Sequence, residues 1–286
     1  MTVALSLQRL AALAALATSC AAYRFEEQHL YLRHGAEAGE LELWVLSEGL
    51  HAASAPDAGK VADFLDLLEA GRRHVLIYDW PLQFDLDEWA AEEEEDELVK
   101  RFQAWTAQVS VVGAELSRNE QGKPCLSQEL RLADVSVLLS LIDEAIDRSL
   151  LEGASGDEEP LSWPDSETWR LWREHARARG SWSAFENGTL VVSAPCTAQS
   201  AARALSTLLT STDKDIDLLR SLVAAATSVR VGEGHAELRF EPDEYGWINV
   251  HLPRSDWKYD PALHRELQAR GRTLPTRDDA GPPDRR

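Results

Sequence analysis

The stretch LSQELRLADVSVLLSLIDEAI, residues 126–146, changes its hydrophobic period partway along. Leu126, Leu130 and Leu132 alternate with Ser127, Glu129 and Arg131, the period of two that lays one face of a strand on a core. Val135, Leu138, Leu139, Ile142 and Ile146 then recur at helical spacing and mark the best amphipathic helix of the chain. Upstream, Ala107 to Leu116 reads as the antiparallel partner of the first segment, joined to it by the turn-rich Asn119–Pro124. A hairpin followed by a helix is therefore the local unit. Hairpins imply antiparallel sheets and interspersed helices cover one sheet face, so the expected fold class is α+β.

Working outward, the same order recurs. Tyr23 to His34 and Glu40 to Leu46 form a second expected hairpin across residues 35–39. Asp57 is placed to cap a helix carrying Val61, Phe64, Leu65 and Leu68, which Gly71 ends. His74 to Tyr78 reads as a short buried strand, and Glu88 to Trp105 as one acidic helix with Leu98, Phe102 and Trp105 inward. Residues 153–164, rich in Gly, Ser, Pro and acids, form the expected linker between units at 20–152 and 165–273. In the second unit, helices are expected at 169–179, 198–210, 214–226 and 261–270. Strands are expected at 182–194 (a hairpin), 228–231, 235–241 and 247–252, the last two joined through Pro242 and Gly246. Residues 274–286 have the composition of a flexible tail.

Composition narrows the function classes. With 44% hydrophobic residues and ten tryptophans, the chain can build a core. Its formal net charge of −20 disfavours nucleic acid, whose phosphates are bound by concentrated Lys and Arg. The same charge disfavours anionic headgroups, so membrane contact should come from an apolar or covalent anchor.

The N-terminus supplies a place for that anchor. Arg9 is followed by eight residues of Leu and Ala, Leu10 to Ala17, then Thr18, Ser19 and Cys20. This run is too short to span a bilayer and has the layout of a cleavable export signal over residues 1–19. Leu16-Ala17-Thr18-Ser19-Cys20 resembles the lipobox of bacterial lipoproteins, with Ala17 where Leu is usual and Ser19 before the cysteine. The resemblance implies a diacylated Cys20 as first mature residue. It also implies an envelope location, and Ala21 and Ala22 in place of an aspartate lean towards an outer membrane. Cleavage after Ala17, giving a secreted or periplasmic protein, and a retained amphipathic helix stay open beside it. If Cys20 is lipidated, the three cysteines leave an even pair, Cys125 and Cys196, which can form a disulfide or stay as two buried thiols.

The search for chemistry is less productive. No tight histidine pair of the HExxH kind exists; His29 and His34 are closest, and their odd separation on a strand points them to opposite faces. No metal site, cofactor or catalytic residue is expected on this basis. The acids at 85–97 read as a solvated helix face rather than a cation site. Trp169 and Trp172, with Arg173, share a helix face that could stack on glycan or peptidoglycan, or belong to the core. The expected role is a non-enzymatic binding or structural one, its protein or glycan partner unidentified; a glycan- or peptidoglycan-binding module using Trp169 and Trp172 and a hydrolase with dispersed residues are the rivals.

Overall fold

The structure is a computed structural model that describes residues 23–35, 39–77, 85–152, 166–210, 220, 223–232, 234–253, 258–277 and 282. The expected signal at 1–19, Cys20 and the 153–164 linker lie outside the described residues, as does most of the helix expected at 214–226. In chain order the elements are β1 (Tyr23–Arg24), β2 (Glu27–His34), β3 (Leu41–Glu48), β4 (His51–Ala52), α1 (Ala58–Glu69), α2 (Leu86–Ala91), α3 (Glu97–Thr106), β5 (Val109–Arg118), β6 (Pro124–Leu132) and α4 (Val135–Glu152). There follow α5 (Ser166–Arg177), β7 (Ser183–Glu186), β8 (Thr189–Pro195), α6 (Ala198–Thr210), β9 (Ser228–Val231), β10 (His235–Phe240), β11 (Ile248–Pro253) and α7 (Ala262–Ala269). Every strand pairing between them is antiparallel, and the class is α+β.

The central sheet has the order β11-β2-β3-β6-β5. Its two inner hairpins are those read from the alternation of 27–48 and 109–132. Leu30, Leu32, Leu43, Val45, Leu130 and Leu132 face one way and meet Leu98, Phe102, Trp105, Leu138 and Leu141 from α3 and α4. A smaller sheet, β7-β8-β10-β9, packs Phe185, Leu190, Leu238 and Phe240 on this same core. A second cluster gathers Val61, Leu65 and Leu68 of α1 with Leu263 and Leu267 of α7. The Asn187–Gly188 turn of the β7–β8 hairpin takes positive φ at both residues, as a two-residue loop requires.

Other expectations are corrected. Strands β10 and β11 are not a hairpin: β11 leaves the small sheet and pairs with β2, 224 positions separating its His251 from Glu27. Within residues 165–273, β11 joins the central sheet and α7 packs on α1. The acidic stretch is two helices, not one. Asp96 caps α3 by accepting from the Leu98 and Val99 N–H groups, as Asp85 caps α2, so residues 92–96 start a second helix instead of continuing the first. The start of the tail is tied down: Arg118 N–H donates to Pro275 O, Arg277 N–H donates to Arg118 O, and Leu274 is buried against α1 and α7.

The last correction concerns residues 74–77. They are buried and extended but join no sheet, making only an isolated bridge from His74 to Asp85. Val75 and Ile77 enter the central cluster while Leu76 enters the other, so the segment threads between the two cores. Side chains bond three of its backbone groups. Gln128 accepts from Leu76 N–H at 3.1 Å and donates to His74 O at 2.8 Å; Gln28 donates to Leu76 O at 2.8 Å and to Ser47 Oγ at 2.9 Å. Both glutamines are essentially fully buried, on the core face of the sheet. Gln128→Ala leaves a donor and an acceptor without partners in an apolar layer, each costing about 1–3 kcal/mol. The expected loss is ~2–5 kcal/mol in urea unfolding, and a loss under ~1 kcal/mol contradicts this role.

His74 is 1% exposed, beneath the Phe64 ring at 4.9 Å. Burial, with Arg72 adding to it and Asp85 opposing, lowers its pKa to about 4. The unfolded chain therefore binds this proton near pH 6.5 and the folded chain only near 4. Stability tied to it is complete above pH 6.5 and falls by roughly 3 kcal/mol on descending to pH 4. His74→Gln should flatten the stability–pH curve over that window by one proton's slope; an unaltered slope would refute the assignment.

Candidate functional site

Strand geometry builds one polar corner on the sheet face opposite the helices. Glu27 and His29 are two apart on β2 and so point the same way, and the register sets His251 of edge strand β11 directly across from His29. The two imidazoles stack with centroids 4.5 Å apart and planes 11° from parallel. Glu27 Oε2 lies 3.1 Å from His251 Nε2 and 3.8 Å from His29 Nε2. One ligand atom from each of the three residues fits within 4.8 Å of the others. On the neighbouring strand, Glu48 Oε1 is 4.0 Å from His29 Nε2, while its Oε2 accepts from Asn119 Nδ2 at 3.3 Å.

Burial grades across this corner. The His29 side chain is 16% exposed and that of His251 45%, so solvent reaches the cluster from the edge-strand side. Burial first, and the facing His251 second, lower the His29 pKa to about 4, against the pull of Glu27 and the Asn249 side chain. His29 is thus a neutral imidazole through the physiological range, with one ring nitrogen free to accept and the other carrying the proton.

The groups singled out in the sequence stand elsewhere. His34 is on the other face from His29, edge-on to Phe185 at 4.9 Å, as the odd spacing required. Trp169, Trp172 and Trp182 form an edge-to-face chain with centroids 5.7 and 6.3 Å apart, and His175 adds a further contact with Trp182 at 4.6 Å. Trp169 and Trp172 are half-buried against Leu150, Ala176 and Trp182, and Trp182 Nε1 donates to Asp147 Oδ1 at 2.7 Å. Arg173 lies 5.9 Å from the Trp169 ring, near the outer limit of a cation–π contact. The structure brings these residues together as packing between α4, α5 and β8 more than as an open platform.

Of the two readings left open for Cys125 and Cys196, the structure has the pair of buried thiols. Cys125 is on β6 of the central sheet and Cys196 follows β8 of the small one, and both are buried free thiols. Burial first, then the Glu48 carboxylate, push the Cys125 thiol up to about 12, and burial raises Cys196 as well, so neither is an activated nucleophile. His74 has Asp85 at 3.8 Å but is sealed from solvent. His51 is equally buried, with Nδ1 on Gly49 O at 2.8 Å and its ring edge-on to Tyr259. The acids at 85–97 cap helices and pair with arginines: Asp85 with Arg72, Asp87 with Arg73, Asp96 with Arg148.

Among the described residues, only the Glu27–His29–His251 corner gathers three ligating groups with access to solvent, and the sequence reading missed it. Its signal is not local: the glutamate–histidine spacing on β2 is ordinary, and the partner arrives with a strand 224 positions from Glu27. For the tryptophans, the double variant Trp169→Ala/Trp172→Ala is expected to lose ~2–4 kcal/mol in chemical denaturation, as half-buried aromatics do when truncated. Wild-type stability with lost binding to cell-wall glycan would make the face a sugar platform instead. No protein-family model, no curated protein and no solved structure matches this chain.

Proposed function

We propose that this chain is a non-enzymatic binding protein of the bacterial cell envelope, held to its membrane by a lipid on Cys20, with the β2–β11 corner as its binding site. The observation that carries the binding role is the solvent-reached Glu27–His29–His251 cluster beside groups of catalytic type that are shut away. His74 and His51 are sealed, and both described thiols are held protonated by burial. A site that offers imidazole and carboxylate lone pairs, without a nucleophile in reach among the described residues, suits capture better than turnover.

Support for the anchor comes from the sequence: an export-signal layout ending at Leu16-Ala17-Thr18-Ser19-Cys20. Among the described residues no helix is long and apolar enough to cross a membrane. Acidic excess fits the same picture, since a chain of net charge −20 gains nothing from an anionic lipid surface and needs a covalent hold. Described strand β1 begins at Tyr23, three residues past Cys20, which would seat the folded part close to the bilayer. Expression with labelled palmitate, followed by mass spectrometry of the mature N-terminus, tests the proposal. Wild type should carry label and begin at a modified Cys20, and Cys20→Ala should carry none. A wild-type chain that retains Met1 without label refutes the anchor.

A further inference from the structure

We infer that Glu27, His29 and His251 form a site for a divalent transition metal, zinc in the first instance, with Glu48 available as a fourth donor. This deepens the reading of that corner as a binding site by naming the ligand class. The argument begins with donor chemistry. Two imidazoles and a carboxylate are the set that suits Zn2+ and its neighbours, whereas hard Ca2+ or Mg2+ prefers an all-oxygen shell.

Dimensions agree with the chemistry. Ligands about 2.0–2.1 Å from a tetrahedral centre lie ~3.3 Å from one another. Glu27 Oε2 is 3.1 Å from His251 Nε2 and 3.8 Å from His29 Nε2, values on either side of that figure. The adjustment required falls on Glu27 and His251, whose side chains are 52% and 45% exposed: the carboxylate closes on His29 and the His251 ring turns out of the stack. His29 is the fixed partner, inside the sheet between β11 and β3.

Neighbouring residues hold the donors in place, as metal sites require of their surroundings. The Glu48 carboxylate is bonded through Oε2 to Asn119, in the β5–β6 turn, leaving Oε1 towards His29. That turn is itself rigid: Asn119 Oδ1 accepts from both Gln121 and Lys123 N–H, and Gly122 takes a φ of +74°. The site thus draws on three strands and one turn, from both ends of the chain. A metal here would tie edge strand β11 to the sheet by side-chain bonds as well as by its backbone ladder.

The test is a titration of the purified full chain with Zn2+ alone against a chromogenic chelator, with Co2+ as spectroscopic stand-in. Wild type should take up one equivalent of Zn2+, give the intense visible absorption of tetrahedral Co2+, and show a higher Tm with metal. His251→Ala and Glu27→Gln, both at exposed positions and so compatible with folding, should each weaken Zn2+ at least tenfold and abolish the Co2+ band. His235→Ala removes an exposed histidine beside Glu237 on the small sheet and should change neither. Failure of wild type to bind Zn2+ saturably, or wild-type affinity in His251→Ala and Glu27→Gln, overturns the site. So does an equal loss in His235→Ala. Palmitate labelling is independent of metal, so the anchor and the metal site can fail separately.

Discussion

The fold depends on two buried amides. Residues 74–77 must lie between two apolar clusters, and a peptide backbone there has neither water nor a neighbouring strand to bond. Gln28 and Gln128 supply what a strand would have supplied, one bond each to the Leu76 and His74 carbonyls and one to the Leu76 N–H. The arrangement is satisfied and therefore stable, since a buried amide with partners costs little and one without costs several times more. Because the glutamines come from β2 and β6, on either side of β3, their amides also fix where the segment crosses the sheet. Both clusters take their position from that crossing.

Closure of the sheet is the second constraint. Strand β11 returns from the small sheet to cover β2, and α7 follows it onto α1, where Arg270 and Arg272 meet Asp63, Asp66 and Glu69. Those pairs are partly exposed and individually weak, and the apolar contact of Leu263 and Leu267 does more of the holding. The Glu27–His29–His251 corner exists only because of this return. Without β11, His29 would face an open sheet edge with the Glu27 and Glu48 carboxylates beside it but no second imidazole.

Local structure was legible from the sequence because it rests on local period. The alternation of 126–132 and the helical spacing of 135–146 gave β6 and α4, and turn chemistry gave the hairpin at 119–124, while the hairpin at 182–194 was legible as a span without its turn. Long-range pairing was not legible. Nothing in Trp247–Leu252 says which sheet it joins, since an apolar alternating strand suits either. The apolar run from His74 reads as a strand because periodicity reports burial, while sheet membership depends on a neighbour. Here that neighbour's place is taken by two glutamines from 48 and 52 positions away. The split of the acidic helix was readable in principle, because Asp96 heads a fresh apolar run at Leu98 and Val99, the pattern of a cap.

The composition of the two faces of the β2–β11 pair then bears on why the corner holds histidines. On the core face Leu30 meets Val250 and Leu32 meets Ile248, and these buried pairs hold the edge strand in register. The opposite face is relieved of that task, yet it places two imidazoles in direct opposition and a carboxylate next to them. Opposed imidazoles add little to sheet stability when neutral and repel when both are charged, whereas β-branched or aromatic pairs would stabilise the edge by about 0.2–1 kcal/mol. Elsewhere on this same face the chain does use such pairs: Tyr31 packs on Trp44, Arg33 covers Trp247 and Arg277 covers Trp44. A locally unfavourable choice, set beside favourable ones and backed by an apolar face that can bear it, is the pattern expected where residues are kept for what they bind.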